Sequence, residues 1–160
     1  MCIRDSSWVI GSGNNFVRTM ASLAEKGVDP KVVDDQRGRL TFATEIARLI
    51  RTLVETRPSF GVYNLTSEGE VVTWADVARR VFELAGHDPA RVTGVSTEQY
   101  FASATSPVAP RPLNSVLDLT RVHGIGFRPR AGDDLLREYL SPCCLLYTSP
   151  SSRDATLSRM

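Results

Sequence analysis

Trp8-Val9-Ile10-Gly11-Ser12-Gly13-Asn14-Asn15-Phe16 is the stretch that decides how this chain is read. The apolar run from Trp8 to Ile10 reads as the end of a strand. Gly11-Ser12-Gly13 breaks it, and Asn14 is a fitting N-cap for the helix that follows. In that helix Phe16, Met20, Leu23 and Ala24 fall on one face, with Gly27 as its stop. A strand passing through a glycine turn into a helix is also how dinucleotide sites begin. That fingerprint is absent here, because no third glycine completes the turn and Asn14-Asn15 stands where the motif would continue.

Working outward, Lys31-Val32-Val33-Asp34 reads as the next strand and Asp35 to Arg39 as a polar loop. Ile46, Leu49, Ile50, Leu53 and Val54 repeat at helical spacing until Pro58 ends the pattern. Gly61-Val62-Tyr63-Asn64-Leu65 predicts a strand with Tyr63 and Leu65 on one side. Thr73 opens a third helix, with Asp76 completing a capping-box pattern and Gly86 closing it. Its apolar face is Trp74, Val77, Ala78, Val81, Phe82 and Ala85. Val92 to Val95 is a weaker strand. A Pro-bearing stretch from Ala104 to Pro112 leads to Ser115-Val116-Leu117-Asp118, and a last helix carries Leu135, Leu136, Tyr139 and Leu140. This alternation predicts α/β layers, with too few strands for a complete doubly wound sheet.

A chain of 160 residues has room for one domain with a real core. Its 19 Lys and Arg against 18 Asp and Glu give a net charge of +1, which leaves no basic footprint for nucleic acid or an anionic membrane. No apolar run has the length of a membrane span, and residues 1–10 lack a signal-peptide core. Cys2, Cys143 and Cys144 are the only cysteines, all near the ends. Their placement gives neither a disulfide framework nor a metal-ligand spacing, so no metal site is expected and a reducing, cytoplasmic setting is.

The two ends differ in character from the middle. Met1-Cys2-Ile3-Arg4-Asp5-Ser6 can be written as the codons ATG TGT ATA AGA GAC AG, the transposase end used in sequencing libraries. Cys144-Leu145-Leu146-Tyr147-Thr148-Ser149 can be written as its reverse complement, and Pro150 to Asp154 resembles the adapter beyond it. The expectation is that residues 1–6 and 143–160 are translated adapter, the latter disordered, and that residues 7–142 are the native part.

Five blocks then stand in order: Ser7-Trp8-Val9-Ile10-Gly11, Gly13-Asn14-Asn15-Phe16, Val32-Val33-Asp34-Asp35-Gln36, Tyr63-Asn64-Leu65, and Arg111-Pro112 through Ser115-Val116-Leu117-Asp118. Together they resemble the dTDP-4-dehydrorhamnose reductase family of extended short-chain dehydrogenase/reductases, over essentially all of Ser7 to Leu140. The resemblance implies an α/β fold that is the C-terminal, substrate-binding portion of a Rossmann-type enzyme, incomplete as it stands. It implies a dTDP-sugar as substrate, NADPH as the reductant of the intact enzyme, and leaves a homodimer of that enzyme open. The family's glycine-rich loop and its Tyr-x-x-x-Lys pair lie upstream of the block matched by Ser7-Trp8. Tyr63, Tyr100, Tyr139 and Tyr147 are followed four positions later by Ser67, Ala104, Cys143 and Ser151. No catalytic residue and no NADPH site are therefore expected in this chain, which should not turn over alone. Leu40-Thr41-Phe42-Ala43 departs from the Pro-Thr-Tyr-Ala common in the family, which weakens the transfer of contacts there and raises the idea of a subgroup fused to an epimerase domain.

The resemblance implies that Trp8 contacts the sugar ring, against the plainer reading of a core aromatic. Asn14 and Asn15 are expected to include a helix cap, and the helix start they mark to face an anionic ligand. Asp34 and Asp35 point to opposite sides of an extended segment, so they make no acid–base pair; Gln36 is the choice for a hydrogen bond to the nucleotide sugar. Arg111, held in Ala109-Pro110-Arg111-Pro112, suits the forked grip a pyrophosphate needs, with a surface salt bridge as the alternative. Trp74, His87 and His123 read as structural. Two other functions remain open: a non-catalytic sugar-nucleotide-binding or regulatory subunit, and another nucleotide-sugar reductase or epimerase.

Overall fold

A computed structural model describes residues 6–102 and 109–141. Cys2, Cys143, Cys144, both adapter-like ends apart from Ser6, and part of the Pro-bearing stretch lie outside the described residues. The elements run β1 (Val9–Ile10), α1 (Phe16–Glu25), β2 (Lys31–Val33), β3 (Arg37–Gly38), β4 (Thr41–Phe42), α2 (Ala43–Thr56), β5 (Val72–Thr73) and α3 (Trp74–Leu84). They continue with β6 (Thr93–Val95), α4 (Thr97–Phe101), α5 (Thr120–Gly124) and α6 (Gly132–Leu140).

The expected α/β alternation is present, and the strands pair two by two. β1 runs parallel to β4 with Val9 opposite Thr41, and β2 runs parallel to β6 with Lys31 opposite Thr93. β3 and β5 are antiparallel, Arg37 opposite Thr73. β3 falls inside the segment read as a polar loop. Its pairing is long-range, since Arg37 N–H also donates to the Leu113 carbonyl and accepts Ser115 N–H at its own carbonyl, both at 2.8 Å. Local polarity carries no trace of such a partner. The strand expected at Gly61–Leu65 is reduced to isolated bridges at Val62 and Leu65, the latter to Ser6, and Ser67 N–H turns to the Leu40 carbonyl. Tyr63 and Leu65 do share one buried side.

Helix boundaries follow the capping chemistry. Asn15, not Asn14, is the N-cap of α1: its backbone is extended and its side-chain oxygen accepts Arg18 N–H, while Asn14 is exposed. One residue decides this, because the cap accepts from the second or third helical N–H, here the third, Arg18. Thr73 and Asp76 form the expected capping box on α3, each side chain accepting from the other's backbone N–H. α1 and α3 both close on a left-handed glycine. Val28 N–H returns to the Leu23 carbonyl past Gly27, and His87 N–H to the Phe82 carbonyl past Gly86. This is the six-to-one closure that favours glycine at that place.

Two cores result. The first gathers Ile10, Val17, Met20, Val32, Phe42, Val81, Phe82 and Leu136 between α1, α3, α6 and the short strands. The second gathers Leu49, Leu53, Tyr63, Leu65, Val122 and Phe127 beneath α2 and α5. The predicted stripe of α2 divides: Leu49 and Leu53 are buried, whereas Ile50 and Val54 are 42% and 60% exposed.

Candidate functional site

Three aromatic rings form a continuous stack at the start of α1 and α3. The Thr73 cap places Trp74 at the first position of α3, and its indole lies flat on Trp8 with centroids 3.9 Å apart and planes 19° from parallel. Phe16, the first residue of α1, tilts against Trp74 at 4.6 Å. Trp8 holds a positive φ of 52°, uncommon for a bulky side chain. It also lies against Gly38, where an added Cβ would stand 2.8 Å from the indole Cε2. Trp8 is thus wedged behind Trp74.

In front of Trp74 and Phe16 opens a hollow of about 210 Å3 at the end of β2. Tyr100 and Phe101 of α4 form its opposite wall, edge to face with centroids 5.0 Å apart. Gln36, Lys31 and Arg111 supply its polar groups. The hollow therefore combines flat apolar walls with two cations at its rim. Such a lining suits an aromatic base carrying phosphate: ring faces take the base, and cations take the negative charge.

Gln36 and Arg111, far apart in sequence, meet at this hollow. Arg111 is exposed and makes no ion pair among the described residues. Gln36 Nε2 donates to Thr97 Oγ1 at 2.9 Å, and its carbonyl oxygen is uncommitted among the described residues. Trp8, Asn14 and Asn15 are not among the lining residues. The Asn15 amide is fully used: the two hydrogens of Nδ2 are shared among the Gly11 and Gly13 carbonyls and the Tyr139 hydroxyl, at 3.0, 3.1 and 2.8 Å. Asp34 and Asp35 take separate partners. Asp34 lies over Gly94, and Asp35 receives the Thr97 hydroxyl at 2.6 Å and the Thr97 N–H at 2.8 Å. The Thr97 hydroxyl first, and its N–H second, hold the Asp35 carboxyl below its ordinary range.

Sequence reasoning missed Trp74 as a wall of the hollow because its spacing fits the core face of α3. It missed Thr97, Tyr100 and Phe101 as well. The signal for α4 was Ser96-Thr97-Glu98-Gln99, whose Ser96 and Gln99 form a second capping box just before two adjacent aromatics.

A larger hollow of about 530 Å3 lies between Leu40, Val77 and Leu136. Much of its charged rim is committed within the chain: Arg80 forks onto Asp133, Arg39 donates to the Gly69 carbonyl, and Asp76 serves the Thr73 cap. His123, expected to be structural, has Nε2 2.8 Å from Glu68 Oε1. No group of three or more metal-ligating side chains occurs among the described residues, and none of their helices is long and apolar enough to cross a membrane.

The Gly11–Gly13 turn does not fit a dinucleotide. The Asn15 side chain occupies the Arg18 N–H at the α1 N-terminus, a donor that a pyrophosphate there would need. The paired short strands, the flanking helices and an aromatic, cationic hollow at a strand end define the substrate side of a Rossmann-type α/β fold. The chain belongs to the RmlD substrate binding domain family, which matches residues 1–143. It is 36% identical over 136 residues to the spore coat polysaccharide biosynthesis protein SpsK of Bacillus subtilis, covering 84% of this chain and 45% of that protein. A dTDP-4-dehydrorhamnose reductase structure from Clostridium acetobutylicum superposes with a TM-score of 0.74 at 33% identity, over 88% of this chain and 47% of that one. The Bacillus anthracis dTDP-4-dehydrorhamnose reductase, solved in complex with NADP, superposes with a TM-score of 0.70 at 29% identity, over 82% of this chain and 44% of that one. The chain spans about half the length of the curated relatives it matches, 45% and 50% for the first two.

Proposed function

We propose that this chain is the substrate-side part of a dTDP-4-dehydrorhamnose reductase and that the Trp74 hollow binds the dTDP-sugar. The observation that carries this reading is the meeting of Gln36 and Arg111 beside the Trp74 and Phe16 rings. Trp74 and Phe16 would stack on the base, Arg111 and Lys31 would neutralise the diphosphate, and the Gln36 carbonyl would accept a hydroxyl. Trp8 acts from behind, by holding Trp74. Asn15 acts by fixing the turn before α1, and Asn14 retains the exposed position from which a substrate contact is open to it.

NADPH is the reductant in this reading, and its site belongs to a part of the enzyme outside this chain. When bound there it supplies hydride to the 4-keto carbon. This chain's residues bind and orient the sugar nucleotide and hold water away from its base. This reading takes residues 7–142 as the folded domain and the cytoplasm as the enzyme's setting, and leaves a homodimer of the intact reductase open.

Isothermal titration of the chain with dTDP and, separately, with NADPH tests the reading. Saturable binding of dTDP with no binding of NADPH is expected, together with no NADPH oxidation when the 4-keto sugar nucleotide is added. NADPH binding or turnover by the chain alone would overturn it. A non-catalytic sugar-nucleotide-binding subunit is the second reading. It gains only if the contiguous gene encodes no Tyr-x-x-x-Lys pair.

A further inference from the structure

α4 is a wall of the hollow with little to hold it in place. It is five residues long and none of them is buried; Tyr100 is 50% exposed. A helix this short has no stability of its own, and it needs tertiary contacts to exist. Apolar burial supplies little of that here.

Polar contacts do more: the Ser96–Gln99 capping box closes its start, and its bonds to other parts of the fold converge on one residue. Among the described residues, every hydrogen bond leaving α4 for another element is made at Thr97. The Thr97 hydroxyl donates to Asp35 Oδ1 at 2.6 Å and accepts from Gln36 Nε2 at 2.9 Å. Its backbone N–H donates to Asp35 Oδ2 at 2.8 Å. Both oxygens of one carboxylate thus grip the first residue of α4, and the same hydroxyl orients the Gln36 amide. Asp35 and Gln36 follow β2 after the single residue Asp34, and β2 is anchored by parallel pairing to β6 and by buried Val32 and Val33. The fixed strand and the lightly held helix are joined at this clasp.

Resting on the reading of the hollow as the sugar-nucleotide site, we infer that Thr97 is its positioning residue. Clasped by Asp35, it sets the Tyr100–Phe101 wall and the Gln36 amide in register with Trp74. Thr97 does not line the hollow and touches no ligand there. It acts through residues that do. A wall that must be ordered at the moment of binding costs affinity, and a wall already ordered does not.

The test pairs a dynamic readout with a binding readout on the whole chain. Thr97→Val keeps the shape and removes both hydroxyl bonds; Thr97→Ser restores the hydroxyl; Asp35→Asn keeps the size and weakens the grip. Amide hydrogen exchange is followed at Gln99 and Tyr100 in α4, with Met20 in α1 and Val81 in α3 as references for the fold. In Thr97→Val the α4 amides should exchange about tenfold faster while the references stay unchanged. Thr97→Ser should restore the original rates, and Asp35→Asn should fall between. In parallel, dTDP affinity should drop about tenfold in Thr97→Val and recover in Thr97→Ser. Adding Gln36→Ala to Thr97→Val should weaken binding less than the two single effects summed, since both act on the same amide.

Unchanged α4 exchange in both Thr97→Val and Asp35→Asn would overturn the inference. So would faster α4 exchange with undiminished dTDP affinity, which would leave α4 clasped but irrelevant to the site. Absence of dTDP binding by the unaltered chain would instead sink the proposed function, while the exchange experiment would still decide whether the clasp orders α4.

Discussion

The Tyr139 hydroxyl lies 2.8 Å from the Asn15 side-chain nitrogen, joining the last turn of α6 to the first residue before α1. The same hydroxyl donates to the Gly11 carbonyl at 2.7 Å and accepts from Arg18 Nε at 2.8 Å. One phenol thereby ties the glycine turn, the α1 cap and the C-terminal helix into a single polar node. The turn is consequently a fixed part of the fold.

Tyr139→Phe should destabilise the chain by about 1–2 kcal/mol in urea denaturation. The loss is moderate because Asn15 Nδ2 keeps its bonds to the Gly11 and Gly13 carbonyls. An unchanged midpoint would mean that the node contributes nothing.

Gly38→Ala should disturb the aromatic stack. A Cβ there would lie 2.8 Å from Trp8 Cε2, so either the indole or the β3 backbone must shift. With Trp8 stacked on Trp74 at 3.9 Å, the displacement should alter the near-ultraviolet circular dichroism of the indole pair. A stability cost of about 1–3 kcal/mol is expected from the overpacking. An unaltered aromatic spectrum would contradict the wedged placement of Trp8.

Asp133 gives a pH dependence of known sign. The fork of Arg80, with Arg137 adding a second guanidinium, pulls its pKa down to about 2. A carboxylate whose pKa is depressed on folding adds stability above its unfolded value of about 4. That contribution fades as pH falls from about 4 towards 2. Asp133 is half exposed, so solvent screening limits it to about 1 kcal/mol or less. Asp133→Asn should therefore lower the denaturation midpoint at pH 7 and converge with the unaltered chain near pH 2. Equal destabilisation at both pH values would rule out the ion pair as its source.

Ile50 and Val54 share a face of α2 and are both partly exposed. Replacing both with Lys should leave the far-ultraviolet spectrum intact and change stability by no more than about 0.5 kcal/mol. It should also reduce concentration-dependent self-association in sedimentation velocity, since exposed apolar pairs of this kind promote contact between chains. A large loss of helix would show that the face is covered after all.

The elements legible in the sequence were those specified locally. α1, α2, α3 and α6 announced themselves by apolar period, and α3 by a capping box that needs only Thr73 and Asp76. β2 and β6 were visible as short β-branched runs. β3 was not, because its partners, Val72 and Thr73 on one side and Leu113 to Ser115 on the other, lie far along the chain. The same limit governs the site. Gln36 and Arg111 could be chosen from residue type and context, and they do line one hollow. Trp74 could not, since its period marks it as core, and only the tertiary stack on Trp8 turns its other face outward. Thr97 had no local signature of a clasp, because Asp35 sits on a different strand's end.

The central claim, that the Trp74 hollow takes the diphosphate of a thymidine nucleotide, is tested most directly by tryptophan fluorescence. Trp8→Phe leaves Trp74 as the single indole of the chain, against two in the natural sequence. Titrating that variant with dTDP should quench its emission saturably. Adding Arg111→Ala should weaken the fitted affinity for dTDP about tenfold, equivalent to about 1.4 kcal/mol, while affinity for thymidine, which lacks phosphate, stays the same. Emission that does not change with dTDP, or an Arg111→Ala effect equal for dTDP and thymidine, would contradict the assignment.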